Sequence, residues 1–149
     1  MQEPDFFAFE KRLEARLKAK RTVPPETKWF FSDSPEAAES RAQFAPAIHI
    51  IYGGYRPEAG SSPRRQPIDQ TWIVIVSIKS AAGGEDHRVK AGPLLGKIVS
   101  ALIGWPRANR DEQYGPLTLV PAGGVRWRGT VAHYPLAFKT TMPVEGQPD

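Results

Sequence analysis

The stretch His87-Arg-Val-Lys-Ala-Gly-Pro-Leu-Leu-Gly-Lys-Ile-Val-Ser-Ala-Leu-Ile-Gly-Trp105 decides the fold. Its Leu94, Leu95, Ile98, Val99, Leu102 and Ile103 recur every three or four residues, the period of one buried helical face. Gly104-Trp105-Pro106 then stops the pattern, since glycine readily leaves the helix and proline cannot continue it. Asp86 is placed to cap the start. Pro93 has no N–H to give, which predicts a kink or late start near Gly92. Segments of strand character flank the stretch, so a sheet with this helix laid across one face is expected.

Before it, Ala47 to Tyr52 is β-branched and apolar and runs into Gly53-Gly54, predicting a strand that bends or bulges, with Tyr55-Arg56 as its continuation. From Ile68 to Lys79, Trp72, Val74, Val76 and Ile78 alternate with Ile73 and Ile75. Apolar residues on both faces mark a central strand. Residues 58–67 between them lack apolar periodicity and are rich in Gly, Ser and Pro, the composition of a mobile loop at the tip of a hairpin. Asp5 to Lys20 reads as a helix capped by Asp5, with Phe6, Phe9, Leu13 and Leu17 as its stripe. A shorter helix is expected from Pro35 to about Gln43, capped by Asp33 or Ser34.

After the helix, Leu117 to Val120 is a short strand. Val125 to Tyr134 and Leu136 to Pro143 are two strands joined at Pro135, or else one bent edge strand. Residues 145–149 form a disordered tail. The fold class is thus α+β: an antiparallel or mixed sheet of about four to five strands, the long helix on one face and an N-terminal helix. A chain of 149 residues is expected to fold as one domain, 1–149.

With 40% hydrophobic and 24% charged residues, the composition is that of a soluble globular protein. No apolar run approaches the roughly 20 residues that span a bilayer, so no membrane partner is expected. Met1-Gln2-Glu3-Pro4-Asp5 has no basic segment leading into an apolar one, the pattern of a secretory signal, which predicts the cytoplasm. The absence of cysteine removes disulfides and thiolate chemistry. The net charge of +4 falls short of a dedicated nucleic-acid binder. Its distribution says more, for no acidic residue lies between Gln113 and Val144, whereas Arg126, Arg128 and Lys139 do, predicting a basic sheet edge.

Catalytic patterns are missing. His49, His87 and His133 are far apart, with no partner at metal-ligand spacing. The pairs Gly53-Gly54, Gly83-Gly84 and Gly123-Gly124 lack the Lys-Ser/Thr of a phosphate loop, and Ser77 and Ser100 lack a nucleophile-elbow context. No cofactor, metal or enzymatic activity is therefore expected. The candidate interface residues are Arg56, Arg64, Arg65 and Gln66 in and beside the loop, with Arg126, Arg128 and Lys139 on the basic edge.

Several short pieces carry a family resemblance: the N-terminal helix, Ile48-His49-Ile50-Ile51-Tyr52-Gly53-Gly54, the strand from Trp72 to Ile78, Ala101-Leu102-Ile103-Gly104-Trp105, and Tyr134-Pro135-Leu136-Ala137-Phe138. Together they resemble the tail terminator (minor tail, tail-completion) family of long-tailed phages, in its Mu-like form. The resemblance implies a non-enzymatic virion protein, assembled in the host cytoplasm, that forms a homohexameric ring on the last ring of tail tube protein and stops tube growth. It also implies the head-tail connector as a partner, the tail sheath too if the tail contracts, and DNA only as cargo through a central channel. Six copies would carry roughly +24, enough to steer assembly onto an acidic ring. The alternatives are another head-tail connector protein, or a small basic nucleic-acid-binding module using Trp29, Phe30, Phe31 and Trp127 as stacking platforms.

Overall fold

The computed structural model describes residues 4–58, 64–80, 86–107 and 114–148. In chain order the elements are α1 (Ala8–Ala19), β1 (Lys28–Ser32), α2 (Pro35–Glu39), a 3-10 turn (Ala42–Phe44), β2 (Ala47–Pro57), β3 (Arg65–Lys79), α3 (Asp86–Leu102), β4 (Thr118–Val120), β5 (Arg126–Arg128) and β6 (Val131–Glu145). The strands form one six-stranded sheet in the order β1-β2-β3-β6-β4, with β5 also on β6. Only β1 runs parallel to its neighbour, so the sheet is mixed and the fold is α+β.

The β2–β3 hairpin and the central position of β3 are as the alternation predicts. Its register slips between Tyr52 and Tyr55, where Gly54 has φ +94 and a Cβ on Gly53 would stand 3.0 Å from Thr71 Cγ2. Both glycines are needed there, one for the left-handed backbone and one for the close approach.

Packing follows the pleat. Ile48, Ile50, Trp72, Val74, Val76, Ile78 and Phe138 point to one face, where Phe9, Leu13 and Leu17 of α1 and Ile98 and Leu102 of α3 complete a single core. The Nε of Arg16 donates to the carbonyl of Ala101 at 3.0 Å, tying the two helices together. On the other face Ala38 of α2 packs on Ile51 and Ile75.

Several boundaries differ from expectation. The first helix starts at Ala8, because Asp5 accepts the N–H of Phe7 in a turn before it instead of capping it. The helix expected to reach Gln43 ends at Glu39, its Ser34 cap accepting the N–H of Ala37, and a separate 3-10 turn follows. Strand β1 has no counterpart in the sequence-based expectation. The long helix runs unbroken from Asp86 through Pro93, since that ring is exposed and so is Val89 four residues earlier, whose carbonyl loses its donor.

At the far end, Arg65, Gln66 and Pro67 are strand and not loop, paired with Glu145, Val144 and Pro143. Glu145, expected in the tail, pairs with Arg65, and Gly146 donates to the carbonyl of Arg64. Residues 59–63 and 149, the rest of the loop and tail expectations, lie outside the described residues. Val131–Glu145 is one strand, not two. Pro135 falls between the stretches of β6 that pair with β5 and β4, where that flank asks no backbone donor of it.

Candidate assembly surfaces

The seven candidate interface residues do not form one patch. Arg56, Arg64, Arg65 and Gln66 cluster at the hairpin end of β3, whereas Arg126 and Arg128 lie beside the other end, near Lys79. At about 3.3 Å per residue these ends are roughly 45 Å apart along the strand. Lys139 lies between them, opposite Thr71.

Their charges are also unequally available. Arg126 reaches Glu39 at 3.2 Å and Glu36 at 3.7 Å, so β5 is clasped to α2. Lys139 stands 3.7 Å from Asp69, which also accepts a hydrogen bond from the Thr141 hydroxyl at 2.8 Å. The Gln66 amide donates to the Glu58 carbonyl at 2.6 Å and closes the hairpin tip. Arg56, Arg64, Arg65 and Arg128 remain exposed, with no ion pair to a described residue.

A second basic surface lies on the helical layer, where Arg16, Lys18, Lys20 and Arg21 follow one another closely at the end of α1. Lys18 and Arg21 at the end of α1 and Lys97 of α3 rim an apolar groove of about 650 Å³ floored by Leu17, Val23, Pro24, Trp29 and Leu94. The Lys18 ammonium sits 5.2 Å from the Trp29 ring centre. A second groove of about 440 Å³ shares Val23, Pro24 and Leu94 with the first and adds Lys79 and Lys90.

The histidines lie in two settings. His87 Nδ1 is hydrogen-bonded to the Tyr134 hydroxyl, and its ring meets Trp127 edge-on at 4.7 Å, fastening α3 to β5 and β6. His49 and His133 are buried on the face opposite α1 and α3, with Nδ1 at 3.1 Å from Ser32 Oγ and at 2.6 Å from Ser77 Oγ, respectively. Burial lowers the His49 pKa to about 4, with His133 and Arg41 adding to the effect. Burial lowers His133 too, helped by Arg126 and Arg128 and opposed by Glu39. Each imidazole is therefore a neutral core group near pH 7, and Ser77 beside His133 is only 1% exposed, out of reach of a substrate.

Among the described residues there is no group of three or more His, Cys, Asp or Glu able to hold a metal ion. No helix among them is long and apolar enough to cross a membrane. Among the described residues the surface offers cations, exposed aromatics and sheet-edge strands, the materials of protein contact.

Comparison with known proteins agrees with that inventory. The family model for phage tail terminator proteins matches residues 32–148, which takes in strands β2 to β6 and only the last residue of β1. No curated protein matches the chain. Among solved structures, a chain of the virion of a native gene transfer agent particle has the same fold, with a TM-score of 0.56 at 15% identity, over 90% of this chain and 92% of that one.

Proposed function

The chain belongs to the phage tail terminator family and is a structural protein of the virion tail, and from this we propose that it caps the tail tube as a hexameric ring. The ring ends tube growth and forms the joint to the head connector, with the sheath as a further neighbour in a contractile tail and DNA passing through its channel. The observation that carries the reading is the family match across the sheet and α3. Two features support it. Among the described residues the outermost strands of the sheet are β1 at one side and β4 and β5 at the other, so a subunit with neighbours on both sides has strand edges to offer them. The hairpin end presents Arg56, Arg64 and Arg65 beyond the core, where loops meet an adjoining ring. We propose these with Gln66 as tube or connector contacts, and Arg126, Arg128 and Lys139 as a second contact region.

Electron microscopy of the purified protein mixed with isolated tail tubes tests the reading. Six-fold rings at one tube end are expected, and bare tube ends at saturating protein would sink it.

A second reading, a nucleic-acid-binding module, is favoured by the basic rim of the helical layer. It loses support where Arg126 and Lys139 are already spent on carboxylates. Tight DNA binding that weakens steeply with salt would favour it over the ring.

A further inference from the structure

Helix α1 has two unlike ends. At its start, Phe7 is 56% exposed against the ring of Tyr52, and Phe31 of β1 is 39% exposed on the same side of the sheet. Asp5 accepts the N–H of Phe7, Asp33 follows Phe31 by two residues, and Glu10 and Glu14 follow Phe7 along α1. Glu10 has its pKa raised by burial first, with Asp33, Asp5 and Glu14 adding to it and Lys11 opposing. Glu14 is spoken for by Lys18 at 3.4 Å, whereas Glu10 and Asp33 have no ion pair to a described residue. At the other end of α1 lies the 650 Å³ groove, apolar on its floor and rimmed by Lys18, Arg21 and Lys97.

A helix favours acids at its start and bases at its end, which accounts for charges on α1 itself. Asp33, directly before the Ser34 cap of α2, is placed by the same rule, but the rule does not account for Lys97 within α3 or for two phenylalanines left exposed. Exposed aromatics with carboxylates nearby in the chain and an apolar groove with a basic rim are complementary in polarity and in sign.

We infer that the Phe7–Phe31 knob of one copy seats in the Leu17–Trp29–Leu94 groove of a neighbouring copy of this chain, with Glu10 and Asp33 meeting Arg21 and Lys97. The contact is head to tail, so each copy offers one knob and one groove. Such a contact closes into a ring when its rotation closes, and otherwise gives a filament. The inference rests on the ring reading for its setting and names the surface that builds it. A cation brought to Glu10 also relieves the crowding of carboxylates there.

The chain has no cysteine of its own, so introduced thiols report cleanly. Protein carrying Phe7→Cys and protein carrying Leu94→Cys are mixed with tail tubes under oxidising conditions and examined by gel electrophoresis and electron microscopy. Covalent dimers are expected in the mixture and in neither variant alone. Capped tubes without such dimers overturn the inference and leave the ring reading standing. Dimers without capped tubes keep the contact and overturn capping, and the absence of both overturns both. Dimers from Phe7→Cys alone indicate a symmetric contact and overturn the inference.

Charge reversal gives an independent readout. Arg21→Glu with Lys97→Glu should lower the dimer yield at least tenfold at unchanged circular dichroism. Adding Glu10→Lys and Asp33→Lys to every chain should restore it. An unchanged yield in the first variant, or no rescue in the second, counts against the contact.

Discussion

One face of the sheet is covered by two helices of 12 and 17 residues and has Trp72, Val74, Val76, Ile48 and Ile50 at its centre; the other is covered by a five-residue helix and buries two imidazoles. The same strands supply both faces, since neighbouring residues point opposite ways. Further along the second face the Asp69 carboxylate accepts from the Thr141 hydroxyl and pairs with Lys139 at the surface. The first face is held by apolar burial. The second is held by a few apolar contacts and by hydrogen bonds that must stay satisfied, which makes it the softer layer and the one sensitive to pH.

Removing bulk from each face should expose the difference most strongly. Trp72 is fully buried among Phe9, Tyr52 and the helices, so Trp72→Ala should cost about 3–5 kcal/mol in urea unfolding. Ile75 packs on Ala38 and also lines a cavity of about 360 Å³ beside His133, so its neighbours and solvent can relax into the lost volume. Ile75→Ala should cost about 2 kcal/mol, the low end for such a deletion. Equal losses, although far less volume is removed at Ile75, would mean that the second face is the more tightly packed.

Acid should weaken only the second face. His49 in the unfolded chain takes up a proton near the ordinary histidine value of 6.5, and in the native protein only near 4. Between those values the unfolded state binds more protons, so the native state loses stability as pH falls from 6.5 towards 4, with no contribution above that window. The loss should be on the order of 3 kcal/mol. Urea midpoints at pH 7, 5.5 and 4.5 for the native chain and for His49→Gln check this. The variant should show the shallower slope across the window, and parallel slopes would refute a neutral buried imidazole.

The first face is the more legible in sequence. Periodicities of two and of three to four residues write it directly into Trp72 to Ile78 and Leu94 to Ile103, because one stripe meets one core. The second face is built from residues whose partners are distant: His49 needs Ser32, His133 needs Ser77, and Arg126 needs Glu36 and Glu39. Nothing local announces those pairs. Lys28–Ser32 is hidden for a similar reason, since three adjacent exposed or half-buried aromatics do not alternate, and its parallel pairing to β2 is a long-range choice. Of the candidate contacts, Arg56, Arg64 and Arg65 are visible as cations beside an irregular segment. The basic groove is not, being assembled from residues 17–29 and 94–97 by helix packing.

The smallest expected effect separates what covers the second face from what merely touches it. Arg126 joins β5 to α2 through Glu39 and Glu36, but its side chain is 53% exposed, and exposed ion pairs contribute only about 0.2–1 kcal/mol. Arg126→Gln should therefore move the urea midpoint little. It should still change the electrostatics beneath, because Arg126 is one of the charges that lower the His133 pKa. Removing it should let His133 take up its proton at a higher pH, which NMR titration of the imidazole resolves. A higher titration with stability nearly unchanged would leave Ala38, Ile51 and Ile75 as the packing that retains α2. A loss of several kcal/mol would instead make the clasp, and not that packing, what keeps α2 on the sheet.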